Sequence, residues 1–229
     1  MLETEDLRVA YGQSEVLHGI ECTVAPGEIV AVLGRNGMGK TTLMKALIGL
    51  VPARSGSIRL DGAEIAGLPS HRRVAQGVAY VPQGRMIFPA MTVQENIETG
   101  LFVRRARRVP PDLYSLFPVL QEMGGRRGGN LSGGQQQQLA IARALATEPR
   151  VLLLDEPTEG IQPSIIQELG RTLRRIRDER GLSIVVSEQV LSFALDVADR
   201  LLVMEGGHIV HEASRGDVDA DRIARFLAV

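Results

Sequence analysis

The feature that most constrains this chain is a glycine-rich loop with one lysine, set between an apolar strand and a helix. Residues 29–33 form a dense apolar run, and Gly34-Arg35-Asn36-Gly37-Met38-Gly39-Lys40-Thr41 follows it directly. A helix is predicted over residues 40–50, before Pro52. In this context the glycines let backbone N–H groups close on phosphate oxygens, and the helix N-terminus adds positive potential. We assign residues 34–41, together with Thr42, to the binding of a nucleotide.

The distribution of cations supports this assignment. The chain has 26 basic residues, and all of them except Lys40 and Lys45 are arginine. Lysine is a compact point charge that fits among backbone amides around a β- or γ-phosphate, whereas arginine is a planar fork. The hydroxyl of Thr41, the next residue, is placed to ligate Mg²⁺.

Composition sets the class of protein. The 229 residues suffice for one large domain, or one with a small insertion, and 44% hydrophobic with 23% charged residues is ordinary for a globular chain. The net charge of −1 gives no indication of nucleic-acid binding. A single cysteine, Cys22, excludes an internal disulfide and fits a reducing compartment. No apolar run approaches the ~18 residues of a membrane span, and the acidic first residues do not resemble a secretory signal.

Two acidic residues end a second apolar strand. Val151 to Leu154 are followed by Asp155 and Glu156. Asp155 is expected on the Mg²⁺ side of the nucleotide, acting through water. Glu156 is expected to polarise the attacking water as a general base. The alternative is a strand capped by two surface acids, which the upstream phosphate loop disfavours.

A third motif lies between the other two, at Leu131-Ser132-Gly133-Gly134-Gln135. Ser132 can cap a helix that continues to residue 145, and the two glycines permit close approach of backbone to an anion. The motif therefore predicts a second helix N-terminus suited to phosphate. An ordinary helix cap with a glycine turn is the alternative.

The remaining pattern predicts an α/β fold. Strands are expected at residues 7–10, 16–24, 29–33, 57–60, 78–81, 151–154, 183–186, 201–204 and 208–210. The dipeptides Ser55-Gly56 and Asp61-Gly62 are expected to be hairpin turns. Helices are expected at residues 163–179 and 191–198, and residues 84–129 take helical spacing. Alternation of strand and helix, with nearly continuous apolar strands, indicates a parallel sheet covered on both faces.

The three motifs in this order resemble the ATP-binding subunits of ABC transporters, and the resemblance covers essentially the whole chain. It implies a RecA-like phosphate-loop core with an N-terminal antiparallel β portion and an inserted helical subdomain. One ATP-binding domain would span residues 1–229, with the core at 1–83 and 149–229 and the helical subdomain at 84–148. ATP and Mg²⁺ are the implied ligands.

The resemblance also implies roles for single residues. The Ser132–Gln135 turn would grip the γ-phosphate of ATP bound to a facing subunit. Tyr11, after the first strand, would stack on adenine; a turn tyrosine packed at a sheet edge is the alternative. Gln83, after Tyr80-Val81-Pro82, would touch Mg²⁺ and the attacking water; a polar loop glutamine is the alternative.

Two departures from the family pattern refine the resemblance. Gln189 follows Ser187-Glu188 where the family usually has a histidine, and Gln162 stands where it usually has an aspartate. An amide can bond the γ-phosphate but does not titrate near neutral pH. These changes suit a subunit that pairs with a different ATP-binding subunit, although pairing of two identical copies stays open. We expect Gln189 to act in catalysis with Glu156.

At Glu188-Gln189 the chain has Glu-Gln where the family usually has Glu-His. In this respect it resembles one ATP-binding subunit of the high-affinity branched-chain amino acid importer group. Residues 87–96, 131–141 and 155–164 look most like its urea-transport branch. The implied partners are membrane permease subunits and, indirectly, a periplasmic solute-binding protein, with this chain on the cytoplasmic face of the membrane. The alternatives are a branched-chain amino acid importer subunit, a soluble ABC-type ATPase and a non-hydrolytic regulatory module. Arginines 104, 105, 107 and 108 are expected to be a solvated helix end or a contact with acidic headgroups or a permease loop.

Overall fold

The computed structural model describes residues 1–106 and 108–227; Arg107 of the basic cluster, Ala228 and Val229 lie outside the described residues. The strands are β1 (Leu2–Tyr11), β2 (Ser14–Val24), β3 (Ile29–Leu33), β4 (Ser55–Leu60), β5 (Ala63–Glu64), β6 (Val78–Val81), β7 (Val151–Asp155), β8 (Ser183–Glu188), β9 (Arg200–Glu205) and β10 (His208–Ser214). The α-helices are α1 (Lys40–Ile48), α2 (Ser70–Gln76), α3 (Val93–Leu101), α4 (Pro111–Leu116), α5 (Pro118–Glu122), α6 (Gly133–Leu145), α7 (Pro163–Arg180), α8 (Leu191–Val197) and α9 (Ala220–Leu227).

Two sheets organise these elements. The larger has the order β10-β9-β3-β8-β7-β6 and is parallel from β9 to β6, with β10 added antiparallel at one edge. The smaller is antiparallel, in the order β2-β1-β4-β5. The predicted α/β fold, with a mainly parallel sheet and an N-terminal antiparallel portion, is confirmed. None of the helices in residues 1–106 and 108–227 combines the length and the hydrophobicity that spanning a lipid bilayer requires.

The strands of the larger sheet are buried on both faces because alternate residues enter two different cores. Val30 and Val32 of β3 pack with α1 and the small sheet. Ile29, Ala31 and Leu33 of the same strand face a core shared with α3 to α8. This double burial explains the continuous apolar runs in the sequence.

The sheet order places four chain segments side by side. The carboxyl ends of β3, β8, β7 and β6 lie at one edge, because neighbouring parallel strands end on the same side. The phosphate loop follows β3, Gln189 follows β8, Glu156 follows β7 and Gln83 lies shortly after β6. Motifs more than a hundred residues apart in sequence thus meet at one edge.

The far end of α1 closes on a buried arginine. Arg73 of α2 is 1% exposed. Its guanidinium donates to the carbonyl oxygens of Ala46 and Leu47, in the last turn of α1, at 2.6 and 2.9 Å. It also donates to those of Ala66 and Leu68 at 2.7 and 2.9 Å. A cation at this position satisfies helix-end carbonyls and complements the α1 dipole.

Several predicted boundaries are wrong. Ser55-Gly56 lies inside β4 and is not a turn; a register shift in the β1–β4 pairing accommodates Gly56 at a φ of 86°. Helix α1 ends at Ile48, because Gly49 adopts the left-handed conformation at its C-cap. Strand β8 runs on to Glu188. Helices α2 and α9 were not predicted.

Candidate functional site

The phosphate loop joins β3 to α1 with two glycines in left-handed conformations. Gly37 has a φ of 82° and Gly39, the N-cap of α1, a φ of 104°. At Gly34 the constraint is steric, because a Cβ atom there would lie 2.6 Å from the carbonyl oxygen of Met204. The loop therefore needs glycine at these positions for reasons of backbone geometry and packing.

Lys40 lies buried across the loop, at 4% exposure. Its Nζ donates to the carbonyl oxygens of Gly34 and Arg35 at 2.7 and 3.1 Å. The same nitrogen pairs with Oε1 of Glu156 at 3.1 Å, and Glu156 is 7% exposed. The lysine of the phosphate loop and the second acid of the pair thus form one buried ion pair.

The β9–β10 hairpin supports the loop from the other side. The backbone N–H of Gly207 donates to the carbonyl oxygen of Met38 at 3.1 Å, and that of Gly206 to its Sδ at 3.3 Å. The N–H of His18 in β2 donates to the Gly207 carbonyl at 3.0 Å. A Cβ atom on Gly207 would lie 2.0 Å from the carbonyl oxygen of Val16. Only glycine can occupy this position.

Asp155 accepts hydrogen bonds from three hydroxyl groups. Ser187 Oγ and Thr41 Oγ1 donate to its Oδ1 at 2.5 and 3.1 Å, and the Tyr80 hydroxyl donates to its Oδ2 at 3.1 Å. Burial, followed by the Asp155 carboxylate, raises the pKa of the Tyr80 phenol, which therefore stays protonated and a donor. The site thus brings Thr41 and Asp155 together as sequence reasoning expected, and adds Tyr80 and Ser187.

Glu156 begins the turn after β7 in a left-handed conformation, with a φ of 46°. While Oε1 faces Lys40, its Oε2 accepts from the side-chain amides of Gln83 and Gln189, both at 3.3 Å. Gln83, which was expected to touch the attacking water, and Gln189, which was expected to act in catalysis, therefore both meet the carboxylate of Glu156. Strain in the backbone of a bulky residue is common at functional sites.

Glu188 is a buried carboxylate that sequence reasoning missed. It is 1% exposed and accepts from the backbone N–H groups of Thr158, Gln189 and Val190 at 3.1, 3.1 and 3.3 Å. Burial raises its pKa, and these N–H bonds act in the opposite direction. The carboxylate thereby ties the loop after the acid pair to the loop that carries Gln189.

A cavity of about 300 Å³ opens over the loop. It is lined by Val16, Asn36, Gly37, Gly39, Lys40, Thr41, Thr42, Gln83 and Glu156. A larger cavity, of about 610 Å³, lies between α7 and α8 and holds none of the predicted site residues. Chemistry and not size identifies the smaller cavity as the candidate nucleotide site.

Other predicted residues lie outside that cavity. Gly34, Arg35 and Met38 shape the loop through their backbone and do not line it. Tyr11 ends β1, half exposed. Gln189 joins the site through the hydrogen bond of its side-chain amide to Glu156. The Ser132–Gln135 turn is also absent from the lining.

That turn opens α6 with the expected cap. Ser132 Oγ accepts from the Gln135 N–H at 3.4 Å, and Gln135 Oε1 accepts from the Ser132 N–H at 3.0 Å. A Cβ atom on Gly134 would lie 2.6 Å from Cγ2 of Ile165, so glycine lets α6 pack directly on α7. The turn lies against the loop after the acid pair, where a would-be Cβ of Gly133 is 3.3 Å from the Gly160 carbonyl oxygen.

The donor set fits a hard divalent cation. Thr41 and Asp155 present oxygen atoms beside the phosphate loop, and oxygen is the ligand type that Mg²⁺ takes from proteins and phosphates. Among the described residues no group of three or more His, Cys, Asp or Glu forms a metal site.

A phosphate loop at the carboxyl edge of a parallel sheet, with a buried lysine and an acid pair, defines a nucleotide-binding α/β protein. The family model described as ABC transporter matches residues 17–159. The chain is 43% identical to the high-affinity branched-chain amino acid transport ATP-binding protein BraG of Pseudomonas aeruginosa, over 92% of this chain and 91% of that protein. It is 33% identical to the probable branched-chain amino acid transport ATP-binding protein LivF of Archaeoglobus fulgidus, over 95% and 94%.

The solved structure of an ATP-binding subunit of an ABC transporter superposes with a TM-score of 0.85 at 26% identity, covering 99% of both chains. The chain belongs to the ATP-binding subunits of ABC transporters. It is therefore an ABC-type ATPase, of a family whose members drive transport.

Proposed function

We propose that this chain binds and hydrolyses ATP to energise an importer of a small nitrogenous solute, with urea as the cargo. The observation that carries the hydrolytic part is the buried contact of Lys40 with Glu156, beside Thr41 and Asp155. It joins a phosphate ligand to a carboxylate able to act as a base, inside a family of ATPases. A non-hydrolytic regulatory module has no need of this pairing.

The geometry of the site supports the following roles at the nucleotide. Residues 34–42 cradle the phosphates through backbone N–H groups, the helix N-terminus and the Lys40 ammonium. Tyr11 is half exposed at the end of β1 and is free to stack on adenine. Thr41, Asp155 and Gln83 would hold Mg²⁺. When bound, Mg²⁺ neutralises charge on the phosphate oxygens during phosphoryl transfer.

Hydrolysis requires the buried ion pair to open. Lys40 cannot serve a γ-phosphate and Glu156 fully at once, so phosphate binding draws Nζ away from Oε1. Glu156 is then available to orient and deprotonate water, while Gln83 and Gln189 remain on its second oxygen. Because an amide does not titrate, Gln189 holds this position at every working pH.

The Ser132–Gln135 turn acts on a different nucleotide. It is absent from the lining of this chain's own phosphate cavity, while its capped helix start suits an anion. We propose that two ATP-binding subunits face each other and that each turn grips the γ-phosphate held by the other. The second subunit is a different ATP-binding chain or another copy of this one; Gln162 and Gln189 favour a different chain.

This assembly would sit on the cytoplasmic face of the membrane. ATP-binding subunits of ABC transporters typically pair with permeases. We propose permease subunits as direct partners, a periplasmic solute-binding protein as an indirect one, and no nucleic acid. Residues 84–148, which contain α3 to α6, would form a helical subdomain within one domain, and residues 1–83 and 149–229 its core. Exposed Arg105 and Arg108 are available for the permease or for acidic headgroups, and Arg104, which is also exposed, pairs with Glu148 beside them.

Urea is proposed from the residue patterns at 87–96, 131–141 and 155–164. The names of the two similar proteins support branched-chain amino acids as the second candidate cargo. Cargo recognition resides in other subunits, so the test needs the whole transporter. A soluble ABC-type ATPase has weaker support, since both relatives are named as transport proteins.

Two experiments test the proposal. Glu156→Gln in the purified chain should keep ATP affinity and lower kcat about a hundredfold or more, as loss of a general base does; near-wild-type turnover would refute the role of Glu156. Proteoliposomes that contain this chain with its permease subunits and their binding protein should take up labelled urea on ATP addition. If the proteoliposomes take up leucine but not urea, branched-chain amino acids replace urea as the cargo. If the rate of ATP hydrolysis is the same with and without the permeases, a soluble ATPase is favoured.

A further inference from the structure

Arg85 connects three loops that the proposed mechanism uses separately. It lies two residues after Gln83, and its Nη2 donates to the carbonyl oxygens of Glu159 and Gly160 at 2.9 and 3.4 Å. These carbonyls belong to the loop after the acid pair. A Cβ atom on Gly133 would lie 3.4 Å from both terminal nitrogens of the guanidinium. The side chain therefore reaches the Gln83 loop, the acid-pair loop and the start of α6 together.

The backbone that carries Arg85 is held in an uncommon shape. Arg85 and the next residue, Met86, have φ angles of 67° and 43°, in the left-handed region that long side chains rarely adopt. Such a conformation persists only where surrounding contacts impose it. A flexible surface loop would relax out of it.

The contacts that impose the shape come from the same helix that the serine-glycine turn opens. Arg143 in α6 donates from Nη2 to the carbonyl oxygens of Met86 and Arg85 at 2.8 and 3.5 Å. Its guanidinium also lies 5.1 Å from the centre of the Phe88 ring. One end of α6 thus fixes the backbone of Arg85, and the Arg85 side chain reaches back to the other end of α6.

We propose that Arg85 is a positioning residue that locks the Ser132–Gln135 turn to the loop after the acid pair. The lock would hold the turn at a fixed position relative to Glu156 of the same chain when a facing subunit docks. This inference rests on the proposed function, because it concerns the same ATP-dependent pairing. Arginine suits the task, since Nη2 carries two N–H groups for the two carbonyl oxygens while the flat guanidinium lies beside the start of α6, whereas lysine ends in one compact ammonium group.

The first test uses backbone hydrogen exchange of the nucleotide-free chain and three variants. Arg85→Ala should raise exchange about tenfold at residues 132–136 and 158–161, because exchange follows local opening. Arg85→Lys should give a smaller rise. Arg72→Ala is the matched control, because Arg72 is exposed and no hydrogen bond or ion pair of its side chain is found among the described residues. Exchange in Arg85→Ala equal to that of the control would overturn the inference.

The second test separates positioning from mere stability. Arg85→Ala should lower kcat for ATP hydrolysis about tenfold while KM changes less than about twofold, because the phosphate loop is intact. Arg85→Lys should recover part of the rate, and Arg72→Ala should match the wild type. Faster exchange with an unchanged kcat would make Arg85 a structural contact only, which also overturns the inference.

The two proposals fail in different ways. A wild-type chain that hydrolyses no ATP, alone or with its transporter subunits, would refute the proposed function. Hydrogen exchange still decides the lock in that case, since it needs neither nucleotide nor turnover. Normal hydrolysis with identical exchange in Arg85→Ala and the wild type would leave the proposed function standing and remove the lock.

Discussion

Replacing Arg73 by methionine tests whether the buried cation behind α1 stabilises the fold. Methionine keeps an unbranched apolar stem of similar length up to the position of Nε, but it lacks the guanidinium head and so removes four N–H···O bonds of 2.6 to 2.9 Å. Burial of the guanidinium is itself unfavourable and lowers the pKa of Arg73. Removing the charge relieves that desolvation cost, but it leaves four carbonyl oxygens without the donors that Arg73 provides. The net loss in the free energy of unfolding is about 3–5 kcal/mol. In a domain of this size each kcal/mol corresponds to roughly 2–4 °C, so the expected fall in Tm is about 10 °C.

The neighbouring residue supplies the control. Arg72→Met makes the same chemical change on the same helix at an exposed position, and surface substitutions of this kind are usually worth less than about 0.5 kcal/mol. Thermal unfolding of the three proteins, followed by calorimetry or dye fluorescence, measures the difference. A fall below about 2 °C in Arg73→Met, or one equal to that of Arg72→Met, would mean that the helix-end carbonyls find other partners and that the reasoning is wrong.

Four further outcomes are expected. Lys40→Ala should abolish tight ATP binding in calorimetric titration, and unchanged affinity would remove the phosphate-loop assignment. Gln189→Ala should slow turnover without creating a histidine-like step between pH 6 and 7; an unaltered rate would show that its amide is not used. Cys22 is half buried, and desolvation raises the pKa of its thiol to about 12, so at pH 8 the thiol is protonated and iodoacetamide should react more than about tenfold more slowly than with a peptide thiol; labelling as fast as that of a peptide thiol contradicts this. Gly207→Ala should weaken ATP binding because its Cβ would displace the Val16 carbonyl and with it the support of the phosphate loop; wild-type affinity would show that the hairpin is not needed.

The parts of the site that could be predicted from the sequence are those written in contiguous residues. The phosphate loop, Asp155 and Glu156 each follow an apolar strand, so local pattern sufficed to place them. Tyr80 and Ser187 could not be found in this way, since their contacts with Asp155 depend on β6 and β8 flanking β7. Neighbouring strands in a sheet are a property of topology, and local sequence does not encode them.

The unpredicted elements have similar causes. Helix α2 is polar apart from two residues, and its one buried member is a charged side chain, Arg73. Apolar periodicity therefore gave no signal for it. Arg85 stood in a loop with ordinary composition, and its importance depends on a backbone conformation that arginine does not prefer. Glu188 gives no signal of its own in the sequence, because burial of a carboxylate cannot be read from an isolated acid after a strand.

The hairpin beneath the phosphate loop has a consequence for biosynthesis. The amides of Gly206 and Gly207 that hold Met38 are made long after Met38 itself, and β3 lies between β8 and β9, from the final quarter of the chain. A ribosome adding roughly 5–20 residues per second has almost finished translation when these partners emerge. Until then the nascent polypeptide carries the lysine but not the shape that captures a nucleotide. Truncated translation products that stop before the hairpin are thus expected to be inert toward ATP.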